Sequence, residues 1–271
     1  MAGDVPTRSA RWPWRDGLPV HLPCRPGDVP QAMLLPGDPD RVGIAAGVLD
    51  QVRDLGRRRE FAMATGRWDG VPVGVCSTGI GGPSTEIAAV ELAHLGARTL
   101  IRVGGMGAVD LDLPLGCFVI VEAAEGATGT ARVYGGDPAG TRASPAVVDA
   151  LEKAARALGL VHRRGRVRTT DSYYRGQDRP THPAADVPPP YDGLVERLQS
   201  AGVAGMDMEA EPLFAVAAAL GVQAGAVLAV HGNRITDRWL EDYEETQRNL
   251  VRLAATAVTY LHPATKPETS S

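Results

Sequence analysis

Lysine is nearly absent from this chain. Only Lys153 and Lys266 occur, so the 28 basic residues are otherwise arginine, a bias that a G+C-rich genome explains for most of them. A basic excess is also lacking: the formal net charge is −4. That excludes a general nucleic-acid or membrane-surface binder and leaves a small anionic substrate open. Cysteine is scarce, with Cys24, Cys76 and Cys117 far apart and no CxxC pair, which excludes a disulfide framework and a zinc site. No apolar run approaches the length of a membrane span, and the opening MAGDVPTRSARWPWRDG lacks the apolar core of a signal peptide. A cytoplasmic protein is expected.

What is present is an alternation. AMLLPG, VPVGVCSTG, TLIRVGG, CFVIVEAA and AGAVLAV read as strands, and EIAAVELAHLG, SPAVVDALEKAARALG and EAEPLFAVAAALG read as helices. That order predicts an α/β fold with a largely parallel sheet covered on both faces. The 271 residues suffice for one compact domain. Residues 1–19 and 263–271 read as poorly ordered ends around a domain spanning 20–262. THPAADVPPPY, from Thr181 to Tyr191, is too rich in proline for a helix and reads as a mobile flap. After Asn233, apolar residues recur at helical spacing and predict a long terminal amphipathic helix.

Four clusters at strand ends or in loops carry candidate chemistry. In PGDPDR, Gly37 allows close backbone approach to an anion and Arg41 can return a guanidinium to it; a proline turn capped by aspartate is the plainer reading. STGIGGPST leads into a helix N-terminus, which favours anions. Its spacing is not GxGxxG, and Arg102 stands where a dinucleotide site would need an acid, so a dinucleotide cofactor is disfavoured. In LIRVGGMGAVD, Arg102 precedes glycines that read either as a tight turn or as a loop admitting an anion.

In DSYYRGQDRP, an extended loop would send Gln177 and Arg179 to one side. An amide that donates and accepts suits the imide edge of a pyrimidine, and an arginine suits a carbonyl oxygen gaining negative charge; a polar surface loop is the alternative. In GMDMEAEPLF, Asp207, Glu209 and Glu211 precede an apolar helix, either as partners of its dipole or, for Glu209, as an acceptor for vicinal hydroxyls.

Phosphate, pyrimidine and ribose are the groups these clusters describe. From His21 to Leu261, with PGDPDR, RREF, STGIGGPST, GQDR and MEA in order, the chain resembles the uridine phosphorylases of the nucleoside phosphorylase-I family. The resemblance implies a single three-layer αβα domain with a central mixed sheet, built into dimers that usually form a hexamer. It implies phosphorolysis of uridine or a modified pyrimidine nucleoside, a pentosyltransferase activity in pyrimidine salvage, with inorganic phosphate as co-substrate and no organic cofactor. By the same resemblance, Gly37, Arg41, Arg102 and the position of Gly105 bind phosphate. Arg59 reaches the phosphate of the neighbouring subunit, although RRREF alone reads as a solvated charge run. His21 reaches across to the ribose 5′-hydroxyl. Tyr173, Gln177, Arg179, Arg234 and His231 hold the base, and Asp207, Met208 and Glu209 the ribose. Arg179, Gln177 and Glu209 carry the catalytic burden. Glu60 and Ser84 match positions that bind a potassium ion in some members and serve equally as a structural pair.

The chain departs from the family at three places. Gly105 stands where relatives carry a hydroxyl residue, Asp207 where they carry glutamate, and His231–Gly232 where they carry a bulkier apolar pair. Three shortened side chains predict extra room and a nucleoside altered at its sugar or base. Gly232 also occupies the place of the aspartate that purine phosphorylases use, which disfavours purines. A hydrolytic nucleosidase would have little use for four anion-binding positions. A nucleoside-binding relative without turnover stays open because of Gly105.

Overall fold

The structure, a computed structural model, describes residues 9–126, 128–137, 139–181 and 193–263. Its sheet grows from apolar runs that are buried on both faces. Strand β1 (Ala32–Leu35) is wholly buried, and β4 (Val71–Cys76), β5 (Thr99–Ala108), β6 (Phe118–Glu125) and β10 (Gln223–Asn233) are nearly so. β1 pairs in parallel with β4 and β5, and β5 in parallel with β10, as continuous apolar runs predict.

The sheet is nevertheless mixed. β10 meets β6 antiparallel, β6 carries β8 (His162–Thr169) in parallel, β8 carries β9 (Val203–Asp207), and β9 returns antiparallel to β5. That circuit closes five strands into a barrel. From it the sheet continues through β1 and β4 to the antiparallel β3 (Phe61–Trp68) and β2 (Asp50–Arg58), while β7 (Thr141–Arg142) and β11 (Arg238–Trp239) are short additions on β6 and β10.

Helices cover both sides. α1 (Asp40–Ala46), α4 (Pro145–Ala157) and α7 (Glu244–Leu261) pack together, and α2 (Gly82–His94), α3 (Gly129–Val133) and α6 (Ala210–Leu220) form a second group, with α5 (Leu194–Ser200) against β9. Pro145 opens α4 at a position where its missing N–H costs nothing, and α6 stops at Gly221, whose φ of +68° suits glycine. The terminal helix begins later than the apolar pattern suggests, because Arg238–Trp239 joins the sheet first.

At the N-terminal side, residues 9–19 include Trp12 and Trp14, whose rings stack 5.9 Å apart and both meet His94. Of the proline-rich segment read as a flap, 182–191 lie outside the described residues, as do 1–8 and 264–271 of the two ends.

One expectation is overturned. Residues Gly104–Gly107 are not a turn or loop; β5 runs straight through them. The glycines are there for space, as the site makes plain.

Candidate active site

The C-terminal ends of the parallel strands open into a cavity of about 880 Å³, where open α/β folds place ligands. Its wall brings together Gly37, Arg41, Arg102, Gly105, Tyr173, Gln177, Arg179, Asp207, Met208, Glu209 and His231, residues drawn from five separate stretches of chain. Glu60 and Ser84 also line it.

At one end stand two arginines, Arg41 and Arg102. Gly37 follows β1, and its carbonyl accepts the Gly79 N–H at 2.9 Å, which ties two loops together. Arg41 projects from α1, and its buried Nε has no hydrogen-bond partner among the described residues. Burial lowers its pKa and nearby Arg102 adds to this, while Asp38 opposes. A buried N–H without an acceptor is costly, so the position calls for an anion.

Arg102 is buried throughout and paired. Its Nε donates to Asp207 Oδ2 at 2.9 Å and its Nη2 lies 2.5 Å from Glu209 Oε2. Glu209 Oε1 accepts the Gly81 N–H at 2.6 Å. Burial raises the Glu209 pKa, and the adjoining charge of Asp207 adds to it, against the pull of Arg102. Asp207, expected at the ribose, has both oxygens engaged: Oδ1 by the Thr169 hydroxyl at 2.6 Å, Oδ2 by Arg102 and the Glu209 and Ala210 amides. It fixes Arg102 and the start of α6.

At the other end, Gln177 closes a single 3-10 turn, Arg175–Gln177, and Asp178 follows in the left-handed region at φ +57°. The segment is therefore a turn rather than the extended loop the sequence suggests, yet it still brings Gln177 and Arg179 into contact, Arg179 Nη1 donating to Gln177 Oε1. Arg234 braces the turn from behind, with Nη1 to Gln177 O at 2.6 Å and Nη2 to Asp178 O at 3.1 Å. The Arg179 guanidinium sits 4.1 Å from the Tyr173 ring centre. Burial lowers the Arg179 pKa, and the charge of Arg234 contributes.

The glycines of β5 now have a reason. A Cβ on Gly104 would fall 2.8 Å from Arg102 Nη2, and one on Gly105 would fall 2.3 Å from His231 Nδ1. At two of the three departures the expected extra room is filled: the His231 ring occupies the space over Gly105, and Trp239 covers Gly232, where a Cβ would lie 2.8 Å from Cε3.

Two expected residues stand away from this cavity. Arg59 sits exposed at the β2–β3 turn with φ +55°, while Arg57, two residues earlier, reaches the wall instead. His21 is held by Glu91, whose carboxylate meets its Nδ1 at 2.7 Å and its N–H at 3.1 Å. Glu60 and Ser84 flank Gly79, where a Cβ would be 2.8 Å from Glu60 Cγ and 3.2 Å from Ser84 Oγ. Among the described residues no group of three or more His, Cys, Asp or Glu side chains is placed to hold a metal.

Sequence reasoning missed Thr169 and Gln247. Gln247 had a signal: it shares the helical stripe of Leu250, Val251 and Ala254, all buried, and a glutamine in an apolar stripe needs a polar partner. That partner is His231, whose Nε2 lies 2.6 Å from the Gln247 amide nitrogen. Thr169 carried no sequence signal.

Residues 31–262 match the family model described as the phosphorylase superfamily. A uridine phosphorylase of Thermococcus kodakarensis is 41% identical over 230 residues, 83% of this chain and 80% of that protein. A uridine phosphorylase of Escherichia coli K12 is 35% identical over 246 residues, 88% and 95% of the two chains. A guanosine phosphorylase of Halorubrum lacusprofundi is 28% identical over 256 residues, 89% and 98%. Such matches run through both ends of the cavity and the strands that carry them, and the chain belongs to the phosphorylase superfamily.

Proposed function

We propose that the protein is a pentosyltransferase that cleaves uridine, or a close pyrimidine nucleoside, with inorganic phosphate to give free base and a pentose 1-phosphate. The observation that carries this is the polarity of one cavity. Arg41, half-buried and with its Nε unpartnered among the described residues, stands with Arg102 at one end, and the Gln177–Arg179 pair braced by Arg234 stands at the other. The relatives named uridine phosphorylases support the same reading.

The chemistry follows from charge. Phosphate held by Gly37, Arg41 and Arg102 attacks C1′ as the glycosidic bond breaks, so the new C–O bond replaces the C–N bond and the electron pair leaves with the base. Negative charge gathers on the pyrimidine carbonyl, where Arg179 stabilises it more in the transition state than before it. The departing base then takes a proton from solvent. Glu209 and the Met208 backbone region position the sugar, and Tyr173 packs on the base.

Unmodified uridine is the expected substrate, since the His231 and Trp239 side chains occupy the space that an altered nucleoside would need. Neither an organic cofactor nor a covalent enzyme intermediate enters the reaction. Exchanging potassium for sodium in the assay decides whether Glu60 and Ser84 hold a cation or simply pack around Gly79.

The smallest active unit is a dimer, in which Arg59 and His21 of a second copy complete the site at the phosphate and the ribose 5′-hydroxyl; a cytoplasmic hexamer in pyrimidine salvage is the corresponding assembly and role. Mixing Arg41→Ala with Arg59→Ala chains should restore activity in heterodimers, and no recovery rejects the shared site. The function itself is tested by following uracil release from uridine by absorbance, with and without phosphate and beside guanosine. Release that ignores phosphate, or faster cleavage of guanosine, rejects the assignment.

A further inference from the structure

Strand β10 runs beside β5 in even register from Gln223–Thr99 to Val230–Met106, and then one residue is skipped so that Gly232 faces Gly107. His231 is the residue left over. A bulge releases a residue from the ladder and re-aims its side chain, and bulges recur beside active sites. Here the ring is laid over Gly105, whose Cβ, if present, would lie 2.3 Å from Nδ1 and 2.6 Å from Cε1.

The far edge of the ring is fixed. Gln247, buried in α7, sets its amide nitrogen 2.6 Å from Nε2, and the Tyr243 ring lies 5.4 Å away, centre to centre. An amide nitrogen only donates, so Nε2 accepts and the neutral ring carries its proton on Nδ1. Burial, helped by the charge of Arg41, keeps the ring neutral by lowering its pKa to about 4. Nδ1 has no hydrogen-bond partner among the described residues, and His231 lines the cavity together with Arg41 and Arg102.

We propose that the Nδ1–H of His231 donates a hydrogen bond to the bound phosphate on the side that faces the ribose, a place that a side chain at position 105 has no room to serve. This rests on reading the cavity as a phosphorylase site. A neutral donor orients the phosphate without adding a further positive charge, so it draws less electron density from the attacking oxygen than another arginine would. The bulge, the glycine and the buried glutamine are then parts of one device: the bulge aims the ring, Gly105 admits it and Gln247 chooses its tautomer.

Calorimetric titration with inorganic phosphate tests this without requiring turnover. His231→Ala should weaken phosphate binding about tenfold, the worth of one charge-assisted hydrogen bond. Gly105→Ser alone should also weaken it, because hydroxyl and ring cannot coexist there. The double variant Gly105→Ser/His231→Ala should bind more tightly than His231→Ala, since the hydroxyl then has both space and a phosphate to meet. His231→Asn, which keeps a donor and more of the volume, serves if His231→Ala does not fold, and should retain binding better than His231→Leu. Wild-type phosphate affinity in His231→Ala, or a double variant no tighter than it, would overturn the proposal. So would ring 15N shifts that place the proton on Nε2. If the wild type released no uracil but these affinities behaved as stated, the proposed reaction would fall and the phosphate donor would stand.

Discussion

Arg102 Nη2 lies 2.5 Å from Glu209 Oε2, so the carboxylate proposed for the ribose hydroxyls is an ion partner of the arginine proposed for phosphate. Filling one end of the cavity therefore changes the other. Incoming phosphate must share Arg102 with Glu209, and a nucleoside that engages Glu209 loosens its hold on Arg102. Glu209→Gln should bind phosphate several-fold more tightly, as removing a charge worth about 1 kcal/mol of competition implies. The same variant should lose roughly 10- to 100-fold in kcat/KM for uridine. Calorimetry and steady-state kinetics measure the two effects, and weaker phosphate binding would show that the carboxylate organises Arg102 instead of competing for it.

Arg179→Ala should separate chemistry from anion binding. The guanidinium stands with Gln177 and Tyr173, at the opposite end from Arg41. Removing a donor that acts on developing charge costs about 100- to 1,000-fold in kcat. Phosphate affinity should stay near the wild-type value, and equal losses in both would place this arginine at the wrong end of the substrate.

Arg41→Met replaces a half-buried cation, whose Nε has no hydrogen-bond partner among the described residues, by an apolar side chain of similar length. Without phosphate the variant should melt at a higher temperature, by about 2–4 °C for each kcal/mol of relieved desolvation in a chain of this size. Phosphate raises the melting temperature of any protein that binds it when folded. The wild type should show that rise and the variant should not. A lower melting temperature in phosphate-free buffer would mean that Arg41 has a stabilising partner.

His231 makes stability depend on acid. Its folded pKa is lowered to about 4 from an ordinary value of 6.5. Between those values the unfolded chain binds a proton that the folded chain does not, so stability falls as the pH falls through that window. The effect of this one ring should approach about 3 kcal/mol by pH 4. Urea unfolding of the wild type and of His231→Asn at pH 4 to 7 isolates it: the difference between them should shrink steadily toward acid, and a constant difference would mean that the ring titrates normally.

How far the sequence could be read depended on where charge sits. Buried parallel strands such as β1 and β10 announce themselves as apolar runs. β2 does not, because Asp50–Arg58 is an almost wholly exposed edge with no apolar alternation. β8 hides behind four arginines in HRRGRVRT, and only the structure shows where three of them go: Arg163 to Asp110, Arg164 to Asp149 and Glu152, Arg166 to Glu125. That Gly37, Arg41, Arg102, Gln177 and Arg179 share one cavity was legible because their motifs are local. The packing of His231 on Gly105 was not, because it joins residues 126 positions apart through a bulge that leaves no mark in composition.

That bulge also bears on the phase of everything after it. Side chains alternate along a strand, so one residue more or less exchanges the two faces. Downstream of His231, Asn233 donates to the carbonyls of Asp110 and Leu113, and the Arg234 N–H donates to Ala108 O while its side chain holds the Gln177 turn. The bulge escapes that rule, because the residues on either side of His231 already face neighbouring partners, Val230 opposite Met106 and Gly232 opposite Gly107. Deleting residue 231 would therefore remove the imidazole and straighten the ladder while keeping Asn233 opposite Ala108, so the 110–113 loop and the Gln177 turn would keep their ties.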